Sequence, residues 1–158
     1  MDSLELRPVS TTDDDFLYSV YAGSRLEEMK LVSWDEAAKL SFLQMQFAAQ
    51  LAHYQANFPR ASRDVILAKG VPVGRLYVDR REAEIRILDI TLLPEARGQG
   101  IGPHVLRDLM EEAQAVHKTL SIYVDHSSPF LGWFQRLGFI RAEDNGLSCL
   151  MGWHPAAK

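Results

Sequence analysis

Cysteine is almost missing from this 158-residue chain: Cys149 stands alone, so no internal disulfide can brace the fold. A reducing compartment is the expectation, and the cytoplasm is its default. No apolar run approaches the roughly 20 residues that span a bilayer. The N-terminus, Met1-Asp2-Ser3-Leu4-Glu5, lacks a basic apolar leader, so neither membrane insertion nor export is expected. Basic excess is absent too. Seventeen Lys and Arg face 21 Asp and Glu, a net charge of −4. A general nucleic-acid binder needs a basic surface, so the charge argues against that class and no nucleic-acid partner is expected. The five histidines, His53, His104, His117, His126 and His154, show no ligand spacing, and no metal is expected. Repeats, low-complexity tracts and Pro/Ser linkers are also lacking, which leaves a single domain over residues 1–158.

What is present reads as alternating elements. Residues 4–9 form a first strand. Thr11 or Thr12 is placed to cap a helix whose first turn carries Asp13, Asp14 and Asp15. Ser33-Trp34-Asp35-Glu36 reads as a capping box for a long helix. Its apolar face runs Leu40, Leu43, Phe47, Leu51 and Tyr54, and Pro59 closes it. Strands over 63–69 and 71–78 flank Lys69-Gly70, and a third runs from the 79–83 turn to Leu92. A helix follows, with Ile101, Val105, Leu109 and Met110 on one face. Then come a buried strand over 119–124, a short helix over 130–137, and two strands around Asp144-Asn145-Gly146. The order is βααβββαβαββ. It describes an α+β fold with a mixed, mainly antiparallel sheet of about seven strands and about four helices.

The most informative stretch is Leu92-Leu93-Pro94-Glu95-Ala96-Arg97-Gly98-Gln99-Gly100-Ile101-Gly102. A strand, a glycine-rich turn and a helix hold phosphate well. Glycines let backbone approach the ligand, and the first helix amides lack internal partners. A Walker loop would need Gly-Lys-Ser/Thr, and the dinucleotide fingerprint would need glycine where Pro103 stands.

Arg97-Gly98-Gln99-Gly100-Ile101-Gly102 resembles the Arg/Gln-x-x-Gly-x-Gly/Ala signature of the GNAT-type N-acetyltransferases. Pro94-Glu95-Ala96-Arg97-Gly98 looks like that family's lead-in, and Phe134-Gln135-Arg136-Leu137-Gly138-Phe139 is similar to its Tyr-x-x-x-Gly-Phe segment. The resemblance covers roughly residues 63–153 and implies a three-layer α/β/α fold of this family's type. It also implies acetyl-CoA as acyl donor and a small-molecule or peptide amine as acceptor. Leu92 and Leu93 would offer main-chain groups to the pantetheine arm. Arg97, Gly98, Gln99, Gly100, Ile101 and Gly102 would surround the pyrophosphate. Ser127 or Ser128 takes the place of the family's asparagine, and Phe134 that of its general-acid tyrosine.

That last substitution leaves the acid open, with Tyr123 and His126 as the nearest replacements. Glu84 and Asp89, on the strand before the loop, are candidates for the base, and Arg86 between them is able to pair with one. Two other readings stay open: a protein that binds acyl-CoA without transfer, and a nucleotide-phosphate module. A homodimer through the last strands is compatible with the resemblance.

Overall fold

The structure, a computed structural model, describes residues 4–157. Met1-Asp2-Ser3, part of the N-terminus read above, lies outside them. Seven strands form one mixed sheet in the order β1-β2-β3-β4-β5-β7-β6. They are β1 (Leu4–Pro8), β2 (Ser62–Ala68), β3 (Val71–Arg80), β4 (Glu84–Leu92), β5 (Thr119–Asp125), β6 (Ile140–Asp144) and β7 (Ser148–Trp153). β1 pairs antiparallel with β2, as do β5 with β7 and β6 with β7, whereas β4 and β5 run parallel. Five α-helices accompany them: α1 (Asp14–Ser24), α2 (Leu26–Lys30), α3 (Glu36–Asn57), α4 (Ile101–Val116) and α5 (Leu131–Arg136).

The expected order holds, with one element added. Helix α2 falls in the stretch between the first two expected helices and buries none of its five residues. It rests on the ion pairs Arg25–Glu28 and Lys30–Glu27, three residues apart. Without a buried stripe, hydrophobic periodicity has nothing to report. Two caps shift as well. Ser10, not Thr11 or Thr12, caps a 3-10 turn at Thr11–Asp13 that leads into α1. Asp35, not Ser33, caps α3, and its carboxylate accepts the Ala38 N–H at 2.8 Å. Of the face assigned to α3, Leu43 is buried but Leu40 is half exposed.

Backbone packing divides the chain into two compact units. The first holds residues up to Tyr77 together with Asp89–Gly102, and its core is built from Leu17, Val20, Tyr21, Val65, Ile66 and Leu76. The second holds Val78–Leu88 and the residues from Pro103 onward. Its core gathers Ile85, Ile87, Leu106, Leu120, Phe139 and Met151. Parallel pairing within this unit runs from Glu84 opposite Thr119 to Ile87 opposite Ile122.

Candidate active site

The glycine loop leaves β4 through a 3-10 turn at Pro94–Ala96, whose Ala96 is buried. Leu93 N–H donates to Val73 O at 2.8 Å, so Leu93 turns its main-chain groups toward β3. Successive strand residues alternate, which turns those of Leu92 to the opposite edge. Of the two residues expected to serve an extended ligand, Leu92 is thus the better placed. Gly74 on β3 permits this arrangement. A Cβ there would lie 2.5 Å from Thr91 O and 2.7 Å from Leu92 Cδ2, closer than real atoms approach.

Gly98 and Gly100 adopt φ of 75° and 81°, the left-handed region that glycine enters without strain. Among the described residues, no backbone acceptor receives an N–H from Gly98, Gln99, Gly100, Ile101 or Gly102. Cβ atoms built on Gly98 and Gly102 meet nothing within 4 Å. A row of unpaired donors at the positive end of α4, with open space beside it, suits a diphosphate. The loop's side chains turn back on the turn behind it. Gln99 Nε2 donates to Glu95 O at 2.9 Å, and Arg97 Nη2 reaches Leu92 O at 3.4 Å. Pro103 has no N–H to contribute.

Asp89 lies in the same unit, beneath Arg75. Its Oδ1 accepts from Arg75 Nε at 3.2 Å and from the Thr91 hydroxyl. Its Oδ2 accepts from Arg75 Nη2 at 2.8 Å and from the Tyr54 hydroxyl at 3.3 Å. Four donors occupy the about four lone-pair sites of one carboxylate. Gln50 Oε1 accepts a further Nη2 bond from Arg75. Burial opposes the Arg75 charge, but Asp89 outweighs it and raises the guanidinium above its ordinary value. Burial, then the Asp89 charge, push the Tyr54 phenol up, so it remains a donor.

In the second unit Glu84 is just as fully engaged. Oε1 accepts from Arg81 Nη1 at 3.0 Å and Arg86 Nη2 at 3.2 Å. Oε2 accepts from the buried Ser121 hydroxyl at 2.8 Å and Arg86 Nη2 at 3.4 Å. Burial works against its charge, yet Ser121, Arg86 and Arg81 together hold the carboxyl below its ordinary value. Arg86 thus pairs with Glu84, the nearer of its two candidate partners. Tyr123 on β5 is half exposed, with the Arg86 guanidinium 4.9 Å from its ring centroid.

Ser127 binds backward: its N–H and hydroxyl both donate to Asp125 Oδ1, at 3.0 and 2.9 Å, and hold that carboxyl below its ordinary value. Ser128 Oγ accepts the Phe130 N–H at 3.1 Å. Phe134 is buried and meets Trp133 and Phe139 edge to face at 5.0 and 5.3 Å. His126 does something the sequence did not suggest. Its Nε2 lies 2.9 Å from Asp144 Oδ1, and Cys149 Sγ lies 3.5 Å from its Nδ1. Residues 126, 144 and 149 have no local spacing to announce this; the strand register brings them together.

Comparison with known proteins decides what the glycine loop belongs to. The sequence model of the acetyltransferase (GNAT) family matches residues 27–139. The chain belongs to this family. The GNAT match takes in the loop, Glu84, Asp89 and Phe134. No curated protein matches the chain. Among solved structures, the PaiA N-acetyltransferase of Thermoplasma acidophilum, in complex with coenzyme A, has a TM-score of 0.70 at 16% identity, over 96% of this chain and 99% of that one. The ribosomal-protein-S18-alanine N-acetyltransferase of Escherichia coli scores 0.65 at 18% identity, over 99% and 97%. A GNAT acetyltransferase of Elizabethkingia anophelis, with acetyl-CoA bound, scores 0.59 at 16% identity, over 98% and 99%. At such identities the likeness establishes the GNAT fold and no acceptor. No helix among the described residues is long and apolar enough to cross a membrane.

Proposed function

We propose that this protein is an acetyl-CoA-dependent N-acetyltransferase acting on a small-molecule or peptide amine, with the whole chain working as one acetyltransferase domain in the cytoplasm. The observation that carries the reading is the row of unpaired amides from Gly98 to Gly102 at the start of α4. Charge-assisted bonds contribute about 1.5–3 kcal/mol each, so a few of them support micromolar binding after association costs. Leu92 offers main-chain groups to the pantetheine amides as a neighbouring strand would. Bound acetyl-CoA supplies the thioester carbonyl that the amine attacks, and no enzyme nucleophile is required.

Proton handling is the chain's distinctive feature. Asp89 and Glu84 each already accept four hydrogen bonds, so neither offers a ready lone pair to an incoming ammonium. Their role is to hold Arg75, Arg81 and Arg86 in place. The amine therefore arrives neutral, its proton released to water. At pH 7 an α-amine of pKa near 8 is about one-tenth neutral, a lysine amine only about one part in 2,500. Low-pKa amines are the favoured acceptors.

Phe134 has no proton to give, so the leaving thiolate is protonated by water. A thiolate of pKa about 8.5 leaves readily enough for this. Ser127 and Ser128 shape the turn after β5 through their bonds to Asp125 and Phe130.

Phe134 also favours a second reading, a protein that binds acyl-CoA without transferring it. Calorimetric titration with acetyl-CoA, and separately with ATP and NAD, tests both. Selective micromolar acetyl-CoA binding supports the cofactor assignment, and equal or tighter ATP or NAD binding overturns it. Turnover with a panel of amines then separates enzyme from sensor.

A further inference from the structure

Strand register builds a second cluster of reactive side chains in the unit that contains β5, β6 and β7. Cys149 on β7 lies opposite Val124 of β5 on one side and Asp144 of β6 on the other. Directly paired residues project to the same face of a sheet, and so does the residue two further along. His126, two past Val124, therefore joins Cys149 and Asp144 on one face. The His126 N–H donates to Leu147 O at 3.1 Å and ties the end of β5 to the β6–β7 hairpin.

The donor atoms lie close enough for one ion to gather them. One atom from each of the three residues lies within 4.8 Å of the others. Cys149 Sγ is 3.5 Å from His126 Nδ1 and 3.7 Å from Nε2, and 4.0 Å from Asp144 Oδ2; Nε2 is 2.9 Å from Asp144 Oδ1. A tetrahedral zinc ion sets a thiolate about 3.5 Å from an imidazole nitrogen and about 3.6 Å from a carboxylate oxygen, and the nitrogen about 3.4 Å from the oxygen. An ion entering here therefore replaces the His126–Asp144 hydrogen bond and draws the side chains around itself. The carboxylate is also held in place: Asp144 Oδ1 accepts the Gly146 N–H at 2.8 Å, which leaves Oδ2 toward the sulfur.

We propose that His126, Asp144 and Cys149 form a site for a zinc-class divalent cation, with three protein ligands and a fourth, exchangeable position open to solvent. Thiolate, carboxylate and neutral imidazole sum to two negative charges, which a divalent ion neutralises. That balance matters for Cys149, which is fully buried and would be a costly isolated thiolate. His126 and Asp144 are partly exposed, with 33% and 48% of their side chains accessible, and give the ion its path in. The mixed sulfur, nitrogen and oxygen set suits zinc or cobalt and is a poor match for magnesium or calcium. Bound there, the ion clamps the hairpin to the end of β5. Asp144 and Cys149 lie beyond residues 27–139, so the site does not follow from family membership.

The test is a cobalt titration of the full chain, stripped with chelator and carrying no polyhistidine tag. One Co²⁺ per chain should bind with a thiolate-to-cobalt charge-transfer band and intense tetrahedral visible bands, both erased by added Zn²⁺. Cys149→Ser should abolish the charge-transfer band. By calorimetry, His126→Ala and Asp144→Ala should weaken Zn²⁺ binding by at least about tenfold. These two residues are partly exposed, so their variants decide the matter even where Cys149→Ser fails to fold. Absence of the band in the unaltered chain overturns the site, as does unchanged Zn²⁺ affinity in His126→Ala.

Discussion

Arg75 grips Asp89 with two hydrogen bonds, Nε to Oδ1 at 3.2 Å and Nη2 to Oδ2 at 2.8 Å, although only 2% of the Arg75 side chain is accessible. An ion pair this deep stands only while every partner is present. Arg75→Met strands a carboxylate and should cost about 3–5 kcal/mol of stability in urea denaturation. The double variant Arg75→Met/Asp89→Leu should recover much of that loss, because two apolar groups leave no buried charge behind. A double variant as unstable as the single one would show that the pair does more than neutralise itself.

The same saturation makes a kinetic prediction. With Asp89 and Glu84 both occupied, the pH profile of kcat/KM should rise with the acceptor's own pKa. Two amines differing by two units should give profiles displaced by about as much. A common inflection below pH 7, whatever the amine, would point to an enzyme base instead.

Gly100→Glu brings a negative charge to the loop where φ is already 81°. Coenzyme A binding should be lost by calorimetry, while far-ultraviolet circular dichroism stays that of the unaltered chain. Retained affinity would remove the loop from the site.

Gly74→Ala pushes a methyl against Thr91 O and Leu92. Overpacking of this kind costs about 1–3 kcal/mol. On the proposal that Leu92 pairs with the pantetheine arm, the KM for acetyl-CoA should rise as the stability falls. Restoring the family's usual tyrosine should disappoint for a related reason. Phe134→Tyr places a hydroxyl in the packing between Trp133 and Phe139, so it should lower stability without raising turnover.

Acid stability should depend on Asp13. Its hydrogen bonds from Arg7, then from the Ser10 backbone, hold its carboxyl well below the usual carboxylate range. A depressed folded-state value means the contribution is complete above about pH 4, the unfolded value, and fades as pH falls toward the folded one. Asp13→Asn should therefore lower the urea midpoint at pH 7, and the gap should close below about pH 4. A gap independent of pH would show that packing, not charge, is what the variant removes.

The features legible in the sequence are the ones whose physics is local. Gly98 and Gly100 mark a loop because only glycine takes their backbone angles cheaply, and Lys69-Gly70 and Asp144-Asn145-Gly146 mark turns for similar reasons. Ile101, Val105 and Leu109 mark α4 because a buried stripe recurs with the helical period. Helix α2 escaped notice because it buries nothing, and the cap of α3 fell two residues later than expected. Tertiary structure alone decided which partners the charged residues found. Arg75 lies fourteen residues before Asp89 and twenty-five after Gln50, and His126 meets side chains eighteen and twenty-three residues away. Each meeting follows from strand register or helix packing, which sum contributions from the whole chain and leave no spacing in the sequence to read.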